Sequence, residues 1–133
     1  MGIDPFLIAH SLKMVIAQRL IRKICPACKT VDENSDSILQ NFPVIAGFIN
    51  KKYYSARGCS SCHFTGYSGR TVVGEFFVMD EDYVKLILQK SDMSHFRRLT
   101  DKKGYRKLPE IAMEKAFAGE TSLEEVIRET VVF

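Results

Sequence analysis

Two Cys-x-x-Cys pairs constrain this chain more than any other feature. Cys25-Pro26-Ala27-Cys28 and Cys59-Ser60-Ser61-Cys62 hold all four cysteines, with thirty residues between the pairs. Neither pair can organise a fold alone, but together they offer four thiolates, the full tetrahedral shell of a structural zinc ion. A two-residue spacer lets both sulfurs of a pair face one ion from a tight knuckle. Pro26 stiffens the first knuckle, and Gly58 and Gly66 free the backbone around the second. The connecting segment is longer than the usual run of about fifteen to twenty residues.

Three other chemistries use the same residue types. Two disulfides need an oxidising compartment, and no signal-peptide pattern opens the sequence. A thioredoxin-like redox motif uses one pair and leaves the other unexplained. Cys59-Ser60-Ser61-Cys62-His63 spells the c-type haem attachment motif, but haem attachment requires export and orphans Cys25 and Cys28. Zinc uses all four sulfurs, with His63 a bystander or a group behind the ligands.

Composition narrows the partners. The formal net charge is +3, and four thiolates around one divalent ion would leave +1. That is too near neutral for a nucleic-acid footprint. There is no run of eighteen apolar residues, hence no helical membrane span in the sequence. At 133 residues the chain can bury one modest core or two small lobes.

Along the chain, Asp4 and Pro5 form a helix start. Ile8, Leu12, Val15, Ile16, Leu20 and Ile24 then recur at helical spacing, which predicts one helix running into Cys25. It is apolar around more than half its girth, as for a core helix or one that packs against a surface outside this stretch. Residues 30–37 read as a polar loop, Ile38 to Asn50 as one or two short helices broken at Pro43, and Tyr53 to Ala56 as a short strand. Thr65-Gly66-Tyr67-Ser68-Gly69-Arg70 reads as a turn, because a phosphate loop would need Gly-x-x-x-x-Gly-Lys-Ser/Thr. Thr71 to Met79 has the near-continuous apolar character of a strand covered on both faces.

Short capped helices follow. Asp80 caps the first, Ser91 or Asp92 the second, Pro109 opens the third, and Thr121-Ser122-Leu123-Glu124 reads as a capping box for the fourth. The basic residues Arg97, Arg98, Lys102 and Lys103 form a solvated face or a surface for an acidic partner. No Ser/His/Asp set, HExxH helix or apolar carboxylate pair is present, and His10 and His95 read as structural.

Several motifs occur in a fixed order: Met1-Gly2-Ile3-Asp4-Pro5-Phe6-Leu7, Ala17-Gln18-Arg19-Leu20-Ile21-Arg22, then Cys-Pro-x-Cys. Gly58-Cys59-x-x-Cys62, Thr65-Gly66-Tyr67-x-Gly69-Arg70 and Glu75 follow, and Ala118-Gly119-Glu120-Thr121-Ser122-Leu123-Glu124-Glu125-Val126 closes the series. Over nearly its whole length the chain resembles the C-terminal portion of the type II secretion ATPase (general secretion pathway protein E) and type IV pilus assembly ATPase family.

The resemblance implies an α+β, mostly α, fragment of a RecA-like hexameric motor. Residues 1–24 would be the last helix of the core, 25–70 a tetracysteine zinc module, 71–79 a strand returning to the core, and 80–133 a C-terminal helical lobe. The metal ligands would be Cys25, Cys28, Cys59 and Cys62. The Walker motifs and the Asp and His boxes would lie upstream, because Met1 to Leu7 match the family's interior. This stretch then carries no catalytic or nucleotide-binding residue and should not hydrolyse ATP alone; ATP and magnesium would belong to the parent. The implied setting is cytoplasmic, at the inner membrane through partner components of a secretion or pilus machine, with no nucleic acid. The stretch from Met93 to Lys103 occupies the place of a motif that pilus-retraction ATPases use, but does not reproduce it. Arg19, Arg22 and Arg70 match family positions without a readable role. The alternative is a free-standing zinc module for a protein or nucleic-acid partner, since the second knuckle is similar to the zinc repeats of DnaJ-type chaperones.

Overall fold

The computed structural model describes residues 2–131. In order, the elements are α1 (Pro5–Ser11), β1 (Met14–Ile24), β2 (Lys29–Asp32), α2 (Ser35–Leu39), a 3-10 turn at Pro43–Phe48 and β3 (Tyr53–Ala56). A second 3-10 turn at Ser60–Cys62 then leads to β4 (Tyr67–Val78), α3 (Glu81–Leu88), α4 (Met93–Lys102), α5 (Leu108–Phe117) and α6 (Leu123–Thr130). The architecture is mixed α and β, with β1 paired to β4 and β2 paired to β3.

The first element departs from the sequence expectation. Asp4 caps α1 as its position predicts, accepting the Phe6 N–H at 2.9 Å, and Pro5 opens the helix. The helix nevertheless stops at Ser11, and Met14 to Ile24 form a strand. The misleading signal is arithmetic: Ile8, Leu12, Ile16, Leu20 and Ile24 lie four apart, a spacing that fits a helix and is also a multiple of the strand period of two. Pairing with β4 settles the ambiguity, and the β-branched Val15, Ile16, Ile21 and Ile24 suit it. The expected strand Thr71 to Met79 is present but begins four residues earlier, inside the segment read as a turn, and ends at Val78.

By contacts the chain forms two compact units, 1–17 with 75–106, and 18–74 with 107–133. Residues 80–106 fall in the first of these units and residues from 107 onward in the second.

In the first unit, Asp80 caps α3 by accepting the N–H groups of Asp82 and Tyr83. Lys103 locks that cap, its Nζ lying 2.6 Å from Asp80 and 2.9 Å from Asp82. Tyr83 is the buried anchor: its ring lies 4.7 Å from Phe77 and its hydroxyl 3.0 Å from Thr100 Oγ1. Helix α4 contributes no buried residue.

The second unit owns the larger core. Ile21 of β1 and Val73 of β4 meet Leu39, Ile45 and Tyr53, with Ala112, Met113 and Ala116 of α5 and Leu123 and Val126 of α6. Each large apolar side chain buried there contributes about 1.5–3 kcal/mol. Strands β2 and β3 run antiparallel, with Lys29 opposite Ala56 and Asp32 opposite Tyr53. The Tyr53 hydroxyl donates to the Phe48 carbonyl at 2.8 Å, and burial, with Asp36 nearby, pushes its pKa up to about 12.

Candidate metal centre

The two knuckles come together within the second unit. All four sulfurs lie within 4.8 Å of one another, and none is in a disulfide. Cys25 and Cys59 are 3.9 Å apart, Cys28 and Cys62 3.9 Å, and Cys59 and Cys62 3.7 Å. Metal–sulfur bonds of about 2.3 Å at tetrahedral angles require edges of about 3.8 Å. The donor set therefore fits a tetrahedral thiophilic ion, and four sulfurs leave no open position for water or substrate.

Backbone geometry holds the sulfurs in place. The Cys25 N–H donates to the Gly66 carbonyl at 2.9 Å, tying the first knuckle to the second. The N–H groups of Cys59 and Gly66 both point at Cys62 Sγ, at 3.2 and 3.3 Å. Two glycines make this wrapping possible. Gly58 sits at φ +98°, where a Cβ would come within 2.6 Å of the Phe64 carbonyl oxygen, and Gly66 at +78°, where a Cβ would strike Ala56 at 2.7 Å. His63 closes the second knuckle in a left-handed conformation, is exposed, and is not one of the clustered ligands.

The thiols titrate unequally. Burial disfavours a Cys62 thiolate, but the amides of Cys59 and Gly66, with the thiols of Cys59 and Cys28, outweigh it and lower Cys62 to about 6. Burial raises Cys28, and its thiol neighbours carry it to about 12 against the Gly58 amide. Metal ligation would favour the deprotonated form of each ligand, so binding of a divalent cation would release thiol protons.

Sequence reasoning did not find the group beside this cluster. Three residues before Cys25, the Arg22 guanidinium reaches Glu125 Oε2 from Nη2 at 2.7 Å and from Nε at 3.0 Å, while the Arg22 backbone N–H donates to Oε1 at 2.8 Å. The guanidinium carbon also lies over the Tyr67 ring, 3.8 Å from its centre. The Tyr67 hydroxyl sits 2.7 Å from Ser122 Oγ, the cap of α6. Thr121 donates to the Arg22 carbonyl at 2.7 Å, and the Ile24 N–H donates to the Glu120 carbonyl at 2.8 Å. Glu120 to Glu125 thus clamp the end of β1 where it enters the first knuckle. The expected capping box is shifted by one: Ser122 is the cap, and Glu125 serves Arg22 rather than the helix end. Arg70 is exposed, and Arg19 is exposed on β1.

The sequence model of the type II/IV secretion system protein family matches residues 1–128, and the chain belongs to that family. It is 35% identical over 133 residues to the type II secretion system protein E of Klebsiella pneumoniae, covering 98% of this chain and 25% of that protein. A Pseudomonas aeruginosa type II secretion system protein E is 37% identical over 133 residues, 98% of this chain and 26% of its own length. The type IV pilus assembly ATPase PilB of Thermus thermophilus is 32% identical over 132 residues, 98% of this chain and 15% of that protein. The chain thus spans about a quarter or less of these relatives. No helix among the described residues is long and apolar enough to cross a membrane.

Proposed function

We propose that this chain is the zinc-binding, C-terminal part of a RecA-like, hexameric secretion or pilus assembly ATPase, and that its role is to couple rather than to catalyse. The observation that carries the reading is the cysteine cluster, its four sulfurs within 4.8 Å of one another and three of their spacings at the 3.7–3.9 Å that a tetrahedral zinc shell needs. A match along 98% of the chain to relatives named as secretion proteins and pilus assembly ATPases favours this reading over a free-standing zinc module. Cys25, Cys28, Cys59 and Cys62 hold the ion. ATP and magnesium belong to the longer protein, and this stretch contributes neither a catalytic nor a nucleotide-binding residue. The longer protein works on the cytoplasmic side of the inner membrane through membrane components of its machine, without nucleic acid.

Zinc chemistry here is structural: the ion joins the end of β1 to the turn that launches β4. Closing a thirty-residue loop by chain entropy alone costs about 3.6 kcal/mol on a disulfide-like scale, and the metal offsets it. The test is Cys59→Ser in the full-length protein, followed for metal content, ATP hydrolysis and secretion or pilus assembly. The expected outcome is loss of metal and of assembly with hydrolysis retained. Metal loss with assembly unchanged would remove the coupling role.

A further inference from the structure

Helices α3 and α4 line a groove of about 370 Å³ in the unit that lacks the cysteines. Helix α3 supplies Asp82, Lys85 and Leu86, and its C-cap supplies Gln89. Helix α4 supplies His95, Arg98, Leu99 and Lys102. Both sets follow the i, i+3, i+4, i+7 pattern, so each helix turns one complete stripe into the groove. Half-buried Leu86 and Leu99 form an apolar floor, and exposed Lys85, Arg98 and Lys102 stand along the rim.

Of the nearby acidic groups, exposed Glu81 is not among the lining residues, and Asp82 and Asp92 are engaged. Asp82 is held by Lys103 at 2.9 Å, and Asp92 caps α4 and sits 3.2 Å from His95 Nδ1. Asp101 is not among the lining residues. Arg98 reaches only the Ser94 hydroxyl, at 3.4 Å, and Lys85 and Lys102 have no ion pair among the described residues. Three cations thus stand along an apolar floor, and the one carboxylate that lines it, Asp82, is paired with Lys103.

We propose that this groove docks an acidic amphipathic helix of a partner protein. Two helices with an apolar seam accept a third along its apolar face, and glutamates or aspartates flanking that face meet the rim cations. Phosphate, nucleic acid or an anionic lipid surface would use the charges and leave the floor unfilled, so those occupants fit the groove less well. The proposal depends neither on the metal nor on the activity of the longer protein.

The probe is a fluorescein-labelled synthetic helix of about sixteen residues, some four turns, with leucine at i, i+3, i+4 and i+7 and glutamate elsewhere. Anisotropy and amide chemical shifts are read on the intact chain. Binding is expected with shifts confined to residues 82–102, weakening as salt rises. The triple reversal Lys85→Glu/Arg98→Glu/Lys102→Glu should weaken it by about tenfold or more, with folding checked by its melting curve. Lys51→Glu/Lys52→Glu, in the other unit, should leave it unchanged. A peptide with serine for leucine but the same charge should bind more weakly. No binding, shifts centred elsewhere, equal binding of the serine peptide, or displacement by inorganic phosphate or phosphatidylglycerol vesicles would each overturn the proposal.

Discussion

Arg22 and Glu125, 103 positions apart in sequence, form a three-bond grip in which one carboxylate takes both the guanidinium and the backbone N–H of the same arginine. Glu125 is 1% exposed, while Arg22 keeps a third of its side chain in solvent. Arg128 approaches the same carboxylate from outside, half exposed. The grip sits three residues before the first cysteine knuckle, and through Tyr67 and Ser122 it touches the second knuckle's exit and the start of α6.

Removing the buried partner should therefore cost far more than removing the outer one. Glu125→Ala is expected to destabilise by about 2–3 kcal/mol, the scale of hydrogen bonds to a charged group, because it strips Arg22 of three bonds at once. Arg128→Ala should cost under about 1 kcal/mol, as solvent-screened pairs do. Denaturant titration of both variants decides this, and equal costs would remove the grip from the account.

Acid should act through the same carboxylate. Burial alone would raise Glu125, but the Arg22 side-chain and backbone hydrogen bonds, with the charges of Arg22 and Arg128, hold it below its ordinary 4.5. A carboxyl lowered in the folded state contributes stability that is complete above its unfolded pKa and is lost as pH falls through the folded value. Melting between about pH 5 and about pH 3 should drop more steeply in the parent chain than in Glu125→Gln. Parallel curves would contradict this.

Gly58 and Gly47 make a matched pair of tests. Gly58→Ala places a Cβ against the Phe64 carbonyl at positive φ, whereas a Cβ at Gly47 meets nothing within 4 Å. Gly58→Ala should cost about 1–3 kcal/mol and weaken metal binding, and Gly47→Ala should do neither. Thermal melting and a competitive zinc chelator give both readouts.

Much of the site was legible because its chemistry is local. Two-residue spacers place cysteine sulfurs in pairs whatever the surrounding fold, and the caps at Asp4 and Asp80 act within three residues. What could not be read depends on partners far away in sequence. Met14 to Ile24 became a strand because β4 pairs with it, and its own apolar spacing served either period. The capping box was read as ending at Glu124, and nothing near Glu125 in sequence announces its bond to Arg22. The division at Arg106 is equally non-local: α5 belongs with β1 and β3 through Ala112, Met113 and Ala116, while α4 buries nothing.

Metal content of the purified chain tests the central claim most directly. Protein prepared without added metal should carry about one zinc per chain, four cysteines being one closed shell. Chelation should then expose four thiols to a thiol reagent, and Cys59→Ser should abolish retention. A stoichiometry near zero with four freely reactive thiols, or a mass showing disulfides, would contradict the account.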